Sequence, residues 1–553
     1  MKMYALGIDF GTLSGRALLV DADTGQEIAD AVHPYANAVI EKCVPGTKTP
    51  LEPDTALQDP KDYLDVLRIA VPAVLAKAKV KPAQIIGIGT DFTASSPLPC
   101  FSDGTPVCFD PKLRNNPHSW VKLWKHHAAQ PEADYINEIA RQRGEHFATV
   151  YGGKYSSEWF FSKLLQVVHD APEVYDAMDR WIEAADWIVW QLTGQEKRSV
   201  CAAGYKAMWV YPYGEGWAYP SPEFFRALHP KLETVYGKLS MELHQLGARA
   251  GGLTAEMAKL MGLNPGTPVA IGNVDAHAAV PACTVTSPGK LVNIMGTSTC
   301  SMVLGNGFQP VEGMCGAVAN GIIPGLWGFE AGQSCVGDSF GWFVQNACPR
   351  HALGLPENAD EGSVHARLVE LASASKPGRS GLLALDWWNG NRSVLVDTTL
   401  SGCIFGLNLA TTPAEIYRAM IESTAFGQLR IIQSFEEHGV PIDEVFACGG
   451  LAIKNDFLMQ IYADVINRPI SIADSKQTCA LGAAMHGAVA AGYHANISVA
   501  AAKMARVREK RFEPIGANTS IYNQLYSEYC RLHDLLGRHQ IPTMRTLKKL
   551  RAV

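Results

Sequence analysis

Gly7-Ile8-Asp9-Phe10-Gly11-Thr12-Leu13-Ser14-Gly15-Arg16 decides how the rest of this chain is read. An apolar run, Tyr4 to Ile8, ends on a carboxylate. A Gly-Thr-Leu-Ser-Gly turn follows, and the chain resumes as Arg16-Ala17-Leu18-Leu19-Val20-Asp21. Two β-like runs joined by a short Gly-bounded loop predict a hairpin. Glycines let a loop backbone approach a ligand with its amides pointing outward. Asp9, at the strand end, suits a hydrated Mg²⁺, which takes oxygen ligands. Thr12 and Ser14 offer hydroxyls to phosphate oxygens. An ordinary hairpin with common turn residues accounts for the same stretch equally well, so the decision rests on whether the pattern recurs.

It recurs once. Val269-Ala270-Ile271-Gly272-Asn273-Val274-Asp275-Ala276-His277 predicts a strand that ends in a carboxylate. Lys290 to Ile294 predicts a second strand, opening into Met295-Gly296-Thr297-Ser298-Thr299 and a further apolar run to Leu304. Two such hairpins, one near the start of each half, suggest a duplicated domain closing on a polyphosphate. Neither G-x-x-x-x-G-K-[ST] nor G-x-G-x-x-G is present. The turn cluster Leu263-Asn264-Pro265-Gly266-Thr267-Pro268 places the boundary between halves at 1–266 and 267–553. Glu444 to Cys448 predicts another strand, followed by Gly449-Gly450 and a helix from Asn455 to Asn467. A strand, a Gly-Gly turn and a helix start form a cradle for a nucleoside; a tight strand-to-helix connection is the plainer reading. Ala480 to Ala491 predicts a small-residue helix that lets backbones approach closely.

A chain of 553 residues exceeds one hydrophobic core and predicts two large domains. A net charge of −6 argues against a broad nucleic-acid surface. Thirteen cysteines without a C-x-x-C pair suggest reduced thiols in the cytosol. No secretory pattern and no uninterrupted apolar run of membrane-spanning length is present, so a cytoplasmic protein without membrane contact is expected.

Between the hairpins, Asp59 to Lys79 predicts a helix that Pro72 kinks. Gln84 to Thr90 predicts a buried strand ending at Asp91-Phe92-Thr93-Ala94-Ser95-Ser96, and ligand groups of α/β folds cluster at such ends. Trp120 and Trp124, four apart, predict one helical face suited to the apolar side of a sugar. His126 and His127 beside them lack a third metal ligand. A Ser-Ser start predicts a helix within Gly152 to Val168, and Trp181 to Thr193 predicts another, stopped at Gly194. Lys206 reads either as a solvated loop charge or as a donor to a substrate hydroxyl.

Together these segments resemble the FGGY carbohydrate kinases, of the actin-like, Hsp70-like and sugar kinase ATPase fold. Asp9-Phe10-Gly11-Thr12 resembles the first phosphate motif of that family and Gly296-Thr297-Ser298 the second. Cys448-Gly449-Gly450 looks like the adenosine motif and Ala480 to Ala491 the second connecting helix. Gly402-Cys403-Ile404-Phe405-Gly406-Leu407, then Glu415 to Glu422, fits the C-terminal signature throughout. The N-terminal signature departs at Gln166, after Lys163-Leu164-Leu165, in a segment expected to serve mainly packing. The resemblance implies an α/β protein of two duplicated, ribonuclease H-like ATPase domains around a cleft. It also implies Mg-ATP as donor and a small sugar as acceptor. Thr90-Asp91-Phe92-Thr93-Ala94-Ser95, Leu123 to His127 and Lys454 to Asp464 look like family members acting on L-ribulose. The implied reaction gives L-ribulose 5-phosphate in L-arabinose breakdown; D-ribulose and xylulose are the alternative substrates, and a non-enzymatic nucleotide-switched binder is the rival class.

By the same resemblance Asp275 is the catalytic base, and Asp9 and Asp275 hold the magnesium. Ala94, Trp124, Lys206, Asp275 and Glu330 contact the sugar. Gly11, Thr12, Ser14, Gly296, Thr297, Ser298, Gly337, Gly449, Gly450 and Asn455 contact ATP. Glu330 is expected to open a new segment after a strand, where it equally reads as a helix-start charge. A homodimer is one assembly open to such a chain, whose sequence does not give the oligomeric state.

Overall fold

The structure is a computed structural model and describes residues 2–213, 216–538 and 541–551. The Gly11 amide donates to the Ser14 carbonyl at 3.0 Å. This turns β1 (Tyr4–Phe10) back into β2 (Ser14–Asp21), with Asp9 opposite Arg16. β3 (Glu27–Pro34) completes an antiparallel meander. β4 (Ile85–Phe92) then joins the other side of β1 in parallel, with Asp91 beside Asp9. A parallel return needs a crossover, and the helix Pro60–Ala78 supplies it, running unbroken through Pro72.

β5 (Arg249–Gly252), β6 (Pro268–Ala270) and β7 (Asn273–Val274) finish this sheet, β6 and β7 both pairing with β4. The boundary expected at 266/267 therefore cuts through the first sheet. The Asn-Pro-Gly turn leads from the helix Ala255–Met261 into β6, and Asp275 follows the first half's last strand and does not lie in the second half.

The second sheet repeats the plan. The Gly296 amide donates to Ser298 at 2.9 Å, turning β8 (Gly289–Met295) into β9 (Thr299–Gly305). β10 (Gly316–Ala319) and β11 (Trp327–Gln333) extend that side, and β12 (Ile442–Cys448) lies parallel to β8. β13 (Ile470–Ala473) and β14 (Val507–Phe512) complete it. The order β3-β2-β1-β4 in one half matches β11-β9-β8-β12 in the other.

Between the sheets lie the helices Asp275–Ala282 and Thr478–Ala490, packed on each other and the latter on β1 and β4. A Cβ at Gly7 would stand 1.8 Å from the Ala480 carbonyl oxygen, and one at Gly89 1.8 Å from that of Ala483. Only glycine fits these strand positions. An apolar cluster including Ala5, Val274, Ala276, Met302, Phe446 and Ala480 joins the halves. Each sheet has its own core, and a further cluster including Phe147, Tyr155 and Trp181 packs the mainly helical stretch between β4 and β5.

Several local expectations change. Residues 115–129 form no helix: Pro117–Ser119 is a 3₁₀ turn and Val121–Lys122 a short strand. Trp120 is buried in a small core, and its indole donates to the Arg114 carbonyl at 2.8 Å. Trp124 lies outside the apolar cores. The segment Trp181–Thr193 divides into the strand Arg180–Glu183 and the helix Ala184–Thr193, which Gly194 stops as expected. Among the described residues no helix is long and apolar enough to cross a membrane.

Candidate active site

The two parallel strand ends of the first sheet bring Asp9 and Asp91 side by side in register, and β7 sets Asn273 next to Asp91 and Asp275 two residues on. Arg16 Nη1, 3.1 Å from Asp9 Oδ2, is the one cation within ion-pair distance of these three carboxylates among the described residues. Both Asp91 oxygens are buried and meet no hydrogen-bond donor. Burial, then the charges of Asp9 and Asp275, push the Asp91 carboxyl well above its usual range. Asp9 is raised by burial, and Arg16 opposes the shift. Asp275 is surrounded by protein yet keeps a partly exposed face. Burial, aided by Asp9, pushes it up to about 7, against a 2.7 Å hydrogen bond from the Ala276 amide.

These are carboxylates short of positive charge, so a hard divalent cation suits them. Among the described residues no three His, Cys, Asp or Glu side chains close into a ligand cage. Mg²⁺ needs none, since it keeps several waters and takes one or two carboxylates together with phosphate oxygens.

Lys206 ends the helix Val200–Lys206. It is a buried charge, not a solvated loop charge. Its ammonium donates to both Glu330 oxygens, at 2.9 and 3.0 Å, and lies 5.5 Å from the Trp159 ring centroid. Glu330 sits in the middle of β11, not at a segment start or a helix start. His277, on the helix that Asp275 opens, places Nε2 3.4 Å from Glu330 Oε2. Burial would raise Glu330, but Lys206 and His277 hold it far below the usual range. Lys206 belongs to the first half and Glu330 to the second, so this pair spans the cleft. So does Arg392, whose Nη2 lies 3.5 Å from Glu158 Oε2, with His127 Nε2 3.6 Å from Oε1.

The second hairpin gathers the nucleotide candidates. Gly337 opens the helix Gly337–Asn346, its amide donating to the Gly296 carbonyl at 3.1 Å. Val336 donates to Thr297 at 2.8 Å. Gly449 has φ +92°, and a Cβ there would stand 2.4 Å from the Met295 carbonyl oxygen. Gly296, Thr297, Ser298, Gly337 and Gly449 thus converge, with Gly450 starting the next helix. Asn455 is the outlier: its side-chain oxygen accepts from the Leu458 amide at 3.0 Å and caps the helix Asp456–Ile466. Gly11, Thr12 and Ser14 form the first turn, and the Trp124 indole donates to Thr12 Oγ1 at 3.0 Å. Ala94 packs against the cluster that contains Val274, Ala276 and Tyr205.

Sequence reasoning marked the strand end at Asp91 but gave that carboxylate no role, and it gave none to Arg16, Glu158 or Arg392. A carboxylate after the buried run Ile85–Thr90 was the available signal for Asp91. The segment expected to serve packing is polar inside: Gln166 Oε1 accepts from Lys122 Nζ at 3.0 Å and contacts His126 Nε2 at 2.8 Å.

The model of the FGGY family of carbohydrate kinases, N-terminal domain, matches residues 4–281, and that of the C-terminal domain residues 291–491. A ribulokinase of Geobacillus thermodenitrificans is 56% identical over 99% of this chain and 97% of its own. A ribulokinase of Anoxybacillus flavithermus is 55% identical with the same coverages. A gluconate kinase of Lactobacillus acidophilus, of solved structure, shares the fold with a TM-score of 0.79 at 19% identity, over 98% of this chain and 99% of that one.

Proposed function

Because the chain belongs to the FGGY family of carbohydrate kinases, we propose that it transfers the γ-phosphoryl group of ATP to L-ribulose, giving L-ribulose 5-phosphate and ADP. The curated relatives at 56% and 55% identity are ribulokinases over almost their whole length, which supports ribulose as the acceptor. The observation that carries the site is the position of Asp275. It follows β7, whose Asn273 pairs with Asp91, and it opens the helix whose His277 reaches to 3.4 Å from Glu330.

A sugar hydroxyl is not ionised near neutral pH, so a base must take its proton as it attacks. Asp275, held up to about 7, is matched to that task. Lys206 and Glu330 offer a donor and an acceptor to neighbouring sugar hydroxyls, and Ala94 an apolar wall. Trp124 holds the first phosphate turn through Thr12. The amides of the two hairpins face the phosphoryl oxygens and stabilise the charge that spreads over them during transfer. Asp9, Asp91 and Asp275 would hold Mg²⁺, which when bound neutralises the charge of the β- and γ-phosphates. Closure of the two halves excludes water, which otherwise competes for the phosphoryl group.

The test is a coupled ADP-release screen over the four 2-ketopentoses and glycerol. L-Ribulose should give the highest kcat/KM. A higher value for another ketopentose reassigns the substrate. ADP release that no sugar stimulates overturns the kinase reading in favour of a nucleotide-switched binder.

A further inference from the structure

The loop after β4 carries Ala94 and then turns through Ser95, whose φ is +58°. A residue with a Cβ enters this left-handed conformation only at a cost, and something must hold it there. The peptide joining Ser95 to Ser96 is gripped at both of its polar groups. Its carbonyl, on Ser95, accepts from the Lys163 ammonium at 2.7 Å. Its amide, on Ser96, donates to Glu183 Oε2 at 2.9 Å. Lys163 comes from the helix Phe160–Asp170 and Glu183 ends the strand Arg180–Glu183; both are buried. The same ammonium also donates to the Leu123 carbonyl at 2.8 Å and the Lys122 carbonyl at 3.3 Å. Leu123 precedes Trp124, which reaches the first phosphate turn. One buried cation therefore ties the loop that carries Ala94 to the segment that carries Trp124. Burial opposes both charges, and each is sustained in part by the other.

We propose that Lys163 and Glu183 are positioning residues that clamp the Ser95–Ser96 peptide from its two ends, hold Ser95 in its left-handed conformation, and so fix where Ala94 meets the sugar. This rests on the reading of the site given above. The two residues touch no substrate; they act through the loop. A buried pair that serves only the core would lack the link to Ser95, and that link gives the test.

Lys163→Met leaves Glu183 buried without its partner, so the working variant is Lys163→Met/Glu183→Gln, which removes both charges and keeps an acceptor for the Ser96 amide. Ser95→Gly is then added, because glycine adopts the left-handed conformation without strain. Two readouts are taken: hydrogen–deuterium exchange of the peptide 93–98 without substrates, and KM for L-ribulose and for ATP. The double variant should exchange faster in that peptide and raise KM for L-ribulose about tenfold, with KM for ATP within about twofold. Adding Ser95→Gly should recover much of both losses. Unchanged exchange and sugar KM in the double variant overturn the clamp. So does a loss shared by both KM values that Ser95→Gly does not recover. If the unaltered protein turns over no ketopentose, the functional reading fails, and the exchange measurement still decides the clamp.

Discussion

Replacing Lys206 by Met removes an ammonium that Glu330 holds at 2.9 and 3.0 Å inside the protein. Taking one partner from a buried pair costs about 3–5 kcal/mol, because the other charge stays buried without compensation. His277, 3.4 Å from Glu330, is the neighbour able to take up a proton, so the loss should fall at the lower end of that range. Lys206→Met/Glu330→Gln removes both charges. Buried pairs exchanged for neutral groups of similar volume often lose nothing, so the melting temperature of the double variant should return close to that of the unaltered protein. Turnover should not return. On the proposed site each substitution removes a charge-assisted hydrogen bond to a sugar hydroxyl, about 1.5–3 kcal/mol, or about 10- to 150-fold in kcat/KM. Thermal melts without substrates and coupled ADP release with L-ribulose provide the two measurements. Recovery of both stability and kcat/KM would refute a role for the pair in sugar binding. The pH dependence has a definite sign. Glu330 is held below its ordinary value of 4.5 and Lys206 above its ordinary 10.5. The pair's contribution is therefore complete between those limits, is lost as pH falls below 4.5 toward the lowered Glu330 value, and is lost again at strongly alkaline pH. The acid loss should be weaker in the double variant.

Asp275→Asn should keep nucleotide binding, read by calorimetry, and lose roughly 10²–10⁴-fold in kcat, the range of a general base; near-normal turnover would remove the assignment. Asp91→Asn relieves a buried carboxylate that meets no donor. It should raise the melting temperature of the metal-free protein, by roughly 1–3 kcal/mol of stability, and shrink the further rise that Mg²⁺ produces; an unchanged magnesium titration counts against a metal role. Trp124→Phe loses the 3.0 Å bond to Thr12. It should lower kcat about 2- to 10-fold with little change in the melt, whereas a collapsed melt would mean that the indole serves mainly folding.

What was legible in the sequence is what short-range pattern encodes. Both hairpins, the strand before Asp91 and the small-residue helix Thr478–Ala490 were each visible within about ten residues of chain. The misreadings have physical reasons. A spacing of four between Trp120 and Trp124 satisfies a helical face, but the Asn116 side chain accepts from the His118 amide and turns the chain into a 3₁₀ segment. Asn264-Pro265-Gly266 is a strong turn signal, and a turn signal does not distinguish a helix-to-strand link inside one half from a link between domains. Glu330 reads as the start of a segment because a carboxylate inside a buried strand is costly unless paired. Its partner Lys206 lies 124 positions earlier, beyond any local window.

The arrangement of charge also bears on why the two hairpins need the groups between them. Asp9 pairs with one guanidinium, Arg16, and among the described residues Asp91 and Asp275 have no ion-pair partner. The second residue of the helix Thr478–Ala490, Cys479, has its thiol raised by burial and then by the same three carboxylates, so their field reaches the element that joins the halves. A triphosphate arriving without a divalent cation adds negative charge to a place already short of positive charge, and at a few ångströms in a partly dry cleft such repulsion amounts to several kcal/mol. On the proposed ATP site, the cleft would therefore favour metal-bound over bare nucleotide before any sugar is present. On the side proposed for the sugar, the charges are paired: Lys206 with Glu330, and Arg392 with Glu158. These contacts draw on both halves of the chain, so they are complete only when the halves are together. On the proposed reading the acceptor is thus held among paired charges while the donor meets an acidic group, and Asp275, raised to about 7, is the carboxylate that would take the sugar's proton.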